Sequence, residues 1–254
     1  MKNRSEITKD LNKLMYAEEK VIAVWEGGSV ATGFADEYSD LDIVIVCEDD
    51  AVEEIFSLIE SHLEKSYGII KKYRVPEPAW HGFSQCFYKT GNVPGYFYFD
   101  VAVIRRSVPD KFTAKDRHGD PAVWFDKEKI IDTSPTPEEK VIEKGKEYFR
   151  HIFDSDFLME TELKKAIARK NFTEAFQSYI RVMNGCLGIL LNLKYRPSRV
   201  DFGLRYAYRD FPEDEVKLLT DSYKINSIDD IEFKASKVLN RINELKSELK
   251  PEWY

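Results

Sequence analysis

The chain has 254 residues, 43% of them hydrophobic and 33% charged, and carries a formal net charge of −7. Such a chain is long enough to bury one large core or two modest ones, and its balance is that of a packed water-soluble protein. No run approaches the roughly 18 apolar residues of a membrane span, and the negative charge argues against a protein whose main task is to grip a nucleic-acid backbone.

In chain order, Ile7, Leu11, Leu14 and Met15 share one face of a helix expected over residues 5–20, so the chain opens on an amphipathic helix rather than a secretory leader. Val21-Ile22-Ala23-Val24-Trp25 then reads as a buried strand, and Gly27-Gly28-Ser29 as a tight turn whose bare backbone lets phosphate oxygens approach closely. Asp40-Leu41-Asp42 leads into a second strand. Alternation places Asp40 and Asp42 on one face and Leu41 and Ile43 on the other, so two carboxylates converge where a hard divalent cation lets both stay ionised. Asp49 or Asp50 is expected to cap a helix with Val52, Ile55, Phe56, Ile59 and Leu63 inward, ended by Gly68. Strands are expected over 69–75, 82–89 and 96–104, with Val123-Trp124-Phe125 as a short fourth. The third of these runs, Tyr96-Phe97-Tyr98-Phe99-Asp100, sets Asp100 among apolar residues, where an acid needs a partner; Arg105 or Arg106 is the bland choice and a metal the functional one.

Thr136-Pro137-Glu138-Glu139 marks a boundary, with threonine as N-cap and proline at the first helical position. Beyond it everything reads as helix: near 137–153, 157–170, a long central helix from Asn171-x-x-Glu174 to about 194, then 200–209, 213–223 and 229–248. The division is therefore 1–135 and 136–254. Cys47, Cys86 and Cys186 are widely spaced and show no zinc pattern, which reads as reduced thiols in a cytoplasmic protein. His62, His81, His118 and His151 lack ligand spacing, and Glu26 and Glu37 read as ordinary acids near the turn. The glycine stretch lacks the Gly-Lys-Ser/Thr of a P-loop and the spacing of a Rossmann fingerprint.

Gly28-Ser29, ten intervening residues, Asp40-x-Asp42 and the distant strand acid Asp100 resemble the nucleotidyltransferase superfamily of polymerase-β-like enzymes. A domain of this kind followed by a helical bundle is similar to the aminoglycoside nucleotidyltransferases, the streptomycin-modifying kind in particular. The resemblance implies an α+β fold, a mixed sheet with flanking helices followed by an all-α bundle that binds substrate. It also implies two Mg²⁺ ions on Asp40, Asp42 and Asp100, which are both metal ligands and catalytic residues, and ATP as donor, with Gly28 and Ser29 on its phosphates. Thr32 stands where small members often carry an arginine, and the resemblance points to Arg205 as the replacement on the nucleotide phosphates.

The expected reaction is transfer of a nucleoside monophosphate to a hydroxyl of a small, aminoglycoside-like molecule, with antibiotic resistance as the implied role. Asp100 or a carboxylate of the helical half takes the hydroxyl proton; the residues leave both open. A protein-AMPylating enzyme and a nucleotide-sensing toxin–antitoxin component are the alternatives of the same fold. Acceptor selectivity is expected from residues 137–254 and a cleft between the halves, with Arg181 and Asn184 as polar residues of the central helix and Trp80, Trp124, Tyr179 and Tyr206 as stacking walls.

Overall fold

In the computed structural model, which describes residues 3–79 and 81–254, Asn3 starts the first helix, α1 (Arg4–Ala17), with a reciprocal cap. Its Oδ1 accepts from Glu6 N at 3.0 Å while Glu6 Oε2 accepts from Asn3 N at 2.9 Å. Trp80 lies outside the described residues. The fully buried run that follows becomes β1 (Val21–Glu26), and after Gly27 a single helical turn, α2 (Gly28–Ala31), reverses the chain. β2 (Leu41–Cys47), α3 (Val52–Tyr67), β3 (Ile69–Arg74), β4 (Ser84–Thr90), β5 (Phe99–Arg105), α4 (Lys115–His118) and β6 (Ala122–Asp126) complete the first of two compact units, Met1–Pro135.

The strands form one six-stranded mixed sheet in the order β3-β4-β5-β2-β1-β6. β2 and β5 run parallel at its centre, and the other neighbours are antiparallel. Ile7, Leu11 and Met15 of α1 and Ile55, Ile59 and Leu63 of α3 pack with Leu41, Ile43, Ile45 and Val101 on one face. Each such buried aliphatic side chain contributes roughly 1.5–3 kcal/mol. On the opposite face a smaller core joins Trp25, Val44, Val46, Ala102 and Ile104 to Phe83, Val108 and Phe112. Alternation along β2 and β5 assigns Asp42 and Asp100 to this second face, because Leu41, Ile43 and Val101 belong to the first.

α3 is not capped by an aspartate. Ala51 is its N-cap, and Asp49 Oδ1 accepts from Ser107 N at 2.9 Å instead, which fastens the segment after β5 to the end of β2. Gly68 ends the helix as expected, with φ +66°.

The second unit, Thr136–Tyr254, is helical throughout. α5 (Glu138–Ala168) begins one residue later than the cap signal indicated, on Pro137, and runs unbroken where two helices were expected. The Asp154-Ser155-Asp156 stretch that reads as a break stays helical; within it Ser155 Oγ donates to the His151 carbonyl and Asp156 pairs with Lys246. Asn171 caps α6 (Phe172–Val182) through Glu174 N, and the helix passes through one π-helical turn, Met183–Leu187, into α7 (Gly188–Tyr195). A 3₁₀ turn at Pro197–Arg199 and a four-residue α8 (Ala207–Asp210) stand where a helix over 200–209 was expected. α9 (Glu213–Ser222) and α10 (Ile228–Trp253) follow. Their core gathers Phe149, Tyr179, Leu187, Leu190, Leu191, Val238, Ile242 and Leu245. Glu215, 3% exposed, is neutralised there by Arg241 and accepts from Tyr195 Oη at 3.2 Å.

Candidate active site

Two strands and one turn build the site in the first unit. The β2–β5 register sets Leu41 opposite Phe99 and Asp42 opposite Asp100, so the two carboxylates start from facing backbone positions of a parallel pair. At the first rung Leu41 N donates to Tyr98 O at 3.2 Å, which fixes the residue before β5 beside the start of β2. Just outside the ladder, the Tyr98 hydroxyl is hydrogen-bonded to the Asp40 carboxylate. That bond, burial, and the charges of Asp40, Asp42 and Asp100 together push the Tyr98 hydroxyl pKa upward. All three sequence-predicted acids thus act on one hydroxyl.

Asp100 is held by Gln85, whose Nε2 donates to Oδ1 at 2.7 Å. Burial pushes the Asp100 carboxyl up to about 6, opposed by the Gln85 hydrogen bond and reinforced by the negative charge of Asp40. The arginines proposed as bland partners are engaged elsewhere: Arg105 faces Glu77 at 3.8 Å, and Arg106 pairs with Glu48 at 2.9 Å and with Glu128.

The glycine turn closes onto Asp42. Gly27 N donates to the Asp42 carbonyl at 3.0 Å, and Gly28, at φ +55°, presses its bare Cα against the Asp42 side chain. Ser29 Oγ is buried with no hydrogen-bond partner among the described residues, a polar atom that a ligand oxygen would satisfy. Arg4 ties the assembly together, pairing with Glu26 and donating to the carbonyls of Asp40 and, at 3.2 Å, Ser39. Glu26, only 5% exposed, is therefore the buried counter-ion of Arg4.

Carboxylates that crowd one another, with one of them reluctant to ionise, fit a hard divalent cation by their chemistry. The grouping is looser than the sequence implied. Among the described residues no three His, Cys, Asp or Glu side chains are drawn together as a metal cage, and Asp40 is engaged by Tyr98. Asp42 and Asp100 are the residues best placed to hold such an ion, with Asp40 alongside.

Residues 5–85 match the model of the nucleotidyltransferase domain. That segment is similar to a nucleotidyltransferase domain. It contains Gly28, Ser29, Asp40, Asp42 and Gln85, covers about a third of the chain, and stops short of Asp100. No curated protein matches the chain. Two solved structures align over nearly its whole length: an aminoglycoside 6-adenyltransferase from Bacillus subtilis and a spectinomycin adenyltransferase from Enterococcus faecialis, solved with ATP and spectinomycin. The first is 14% identical, covers 100% of this chain and 94% of that one, and has a TM-score of 0.38. The second is 13% identical, covers 98% and 100%, and also has a TM-score of 0.38. Likenesses of this size carry no inference about activity.

Three contributors to this site escape a reading of motifs. Gln85 occupies an outward position of an alternating strand, a faint signal, whereas Tyr98 and Arg4 owe their roles to register and to helix placement that no local pattern announces. The residues expected from the helical half present a different picture. Arg205 is exposed in the second unit with its guanidinium 5.4 Å from the Tyr206 ring centroid, and Asn184 accepts from Tyr223 Oη at 3.0 Å. Arg181 is exposed beside Leu158, Met159, Glu162 and Ser178. Tyr179, expected as a stacking wall, is core: it is fully buried and donates to the Ser222 carbonyl at 3.1 Å. Trp124 packs partly buried against the first unit's core.

Proposed function

We propose that the protein is a Mg²⁺-dependent adenylyltransferase that moves AMP from ATP to a hydroxyl of a small, aminoglycoside-like molecule in the cytoplasm. The observation that carries this reading is the closure of Gly28 onto Asp42, with Asp100 across the ladder and the unpartnered Ser29 Oγ beside it, inside a segment that matches the nucleotidyltransferase domain. Gly28 and Ser29 receive the phosphates, where a close backbone approach and an orphan hydroxyl suit an oxyanion. Asp42 and Asp100, with Asp40, hold the metal, which when bound supplies charge neutralisation and orients the phosphates. Asp100 takes the proton of the acceptor hydroxyl. The acceptor oxygen forms a bond to the α-phosphorus as the α–β phosphoanhydride bond breaks, pyrophosphate leaves, and the proton ends on the carboxylate.

Arg205 is proposed as a further cation for the phosphates, and residues 136–254 as the substrate-binding part. Three free, buried cysteines agree with a reducing compartment, and no helix among the described residues is long and apolar enough to cross a membrane. Pyrophosphate release, followed with ATP, GTP, CTP and UTP in the presence of Mg²⁺ against a panel of aminoglycosides and spectinomycin, tests the reading. Release that requires ATP, a panel member and an intact Asp42 supports it; release with none of the panel under any nucleotide overturns it.

A further inference from the structure

We propose that Tyr38 and Tyr96, with Tyr98 beside them, form a subsite for an organic ammonium group next to the carboxylates of the first unit. The inference deepens the transferase reading and rests on it only in taking the bound cation to be part of the hydroxyl acceptor. Successive pairs across the β2–β5 junction change character toward the open end. Asp42 faces Asp100, Asp40 is bonded to Tyr98, and Tyr38 lies against Tyr96 with ring centroids 5.2 Å apart and planes at 52°. Tyr38 is 64% exposed, Tyr96 48% and Tyr98 36%, and none of the three belongs to a hydrophobic core of the unit. Large rings left in water at the mouth of a charged site provide contact area for a ligand rather than for the fold.

Their chemistry selects a cation. Aromatic faces carry negative potential, and the adjoining Asp40, Asp42 and Asp100 add negative charge within reach of the Tyr98 hydroxyl. Two basic groups lie near this end of the site: Arg4 is matched by Glu26 and directs its other donors to backbone carbonyls, and Lys89 directs its ammonium to the carbonyls of Gly95 and, at 2.9 Å, Phe97, so both cations are engaged by acceptors of the fold. A nucleobase fits the pair poorly, because rings in mutual contact at a 52° tilt leave no parallel slot between them. A compact alkylammonium needs only the ring faces. An acceptor bound this way places a hydroxyl near its ammonium group beside Asp100.

The test uses the full chain without nucleotide or metal and two probes of one shape: choline and its uncharged isostere 3,3-dimethyl-1-butanol. Titrations are followed through tyrosine ring resonances by NMR. The expected result is that choline shifts the Tyr38 and Tyr96 signals with at least ten-fold tighter binding than the isostere. Tyr38→Ala and Tyr96→Ala should remove the response, and the two phenylalanine variants, which keep the ring faces, should retain it. Equal binding of both probes, no shift with choline, or alanine variants that bind choline normally while losing affinity for ATP would each overturn the proposal. No turnover is read, so failure of the transferase reading in the pyrophosphate assay and failure of this subsite are separate results.

Discussion

The Asp42 carboxylate occupies the space that a side chain at position 28 would need: a Cβ built on Gly28 falls 1.9 Å from Asp42 Oδ2 and 2.5 Å from its Cγ. Gly28 also holds φ at +55°, a conformation that costs other residues roughly 1 kcal/mol or more. The turn and the acid are one device, in which no side chain can be added at position 28 without moving Asp42.

Gly28→Ala is therefore expected to lower turnover at least 10²-fold by displacing Asp42, in a protein that still folds. Gly33→Ala provides the contrast, because Gly33 has φ +73° but nothing within 4 Å of an added Cβ. It should lose only about 1 kcal/mol of stability and keep its activity. Thermal melts and pyrophosphate release on both variants distinguish displacement of the acid from backbone strain alone.

Asp42→Asn removes the charge of a proposed metal ligand while leaving volume and packing nearly unchanged. Transfer should fall by more than the roughly 10- to 100-fold that loss of a supporting residue around a metal costs, with the circular dichroism spectrum preserved. Near-wild-type turnover in the folded variant would remove Asp42 from the chemistry.

Asp100 gives a signed pH dependence. Its folded-state value near 6 lies above the unfolded value of about 3.9, so between these the folded state binds the extra proton. Stability of the metal-free protein then falls as pH rises through this window, and the contribution is fully lost above it. Asp100→Asn, which cannot ionise and can still accept from Gln85, should melt higher than the wild type at pH 8, by up to about 3 kcal/mol. Its advantage should vanish near pH 4. A constant difference across the range would contradict the burial argument.

Mg²⁺ and ATP together should raise the melting temperature by more than the sum of their separate shifts, because an ion held by Asp42 and Asp100 also neutralises the phosphates. The same experiment on Asp42→Asn should show additive shifts. Additivity in the wild type would count against a shared metal–nucleotide site.

Removing Arg4 should be costly because Glu26 would remain charged and buried. Arg4→Met is expected to lose about 3–5 kcal/mol, nearer the lower figure since Arg4 is itself 29% exposed in its side chain. Adding Glu26→Gln should restore part of the stability, whereas activity should stay low because Arg4 also fastens the carbonyls of Ser39 and Asp40. A double-mutant cycle on melting free energies measures the coupling.

Local signals carried much of the architecture. Alternation assigned Leu41 and Ile43 to the core and Asp40 and Asp42 to the other side, and Asn171, Gly68 and the apolar runs fixed helix and strand identities within a few residues. Capping was less legible. Asp49 is a good N-cap by type, yet its carboxylate satisfies Ser107 N, a donor 58 positions away. Where α5 runs on through Asp156, that residue pairs with Lys246, 90 positions on, and the short α8 and its flanking turns replace a helix expected over 200–209.

By itself the sequence determined which residue types were available for chemistry: a glycine turn, an Asp-x-Asp strand entry and an acid in an apolar strand, each fixed by contacts within a few positions. Only the tertiary structure decided how they combine. Placing Asp42 opposite Asp100 requires a parallel pairing between strands 58 positions apart, and that pairing also brings Tyr98 to Asp40 and Gln85 to Asp100. Parallel neighbours need a crossover between them, and here the chain from α3 through β4 supplies it; the strands' own alternation does not set the partner. A period of two tells which face a carboxylate shares, and it leaves open which partner it will meet there.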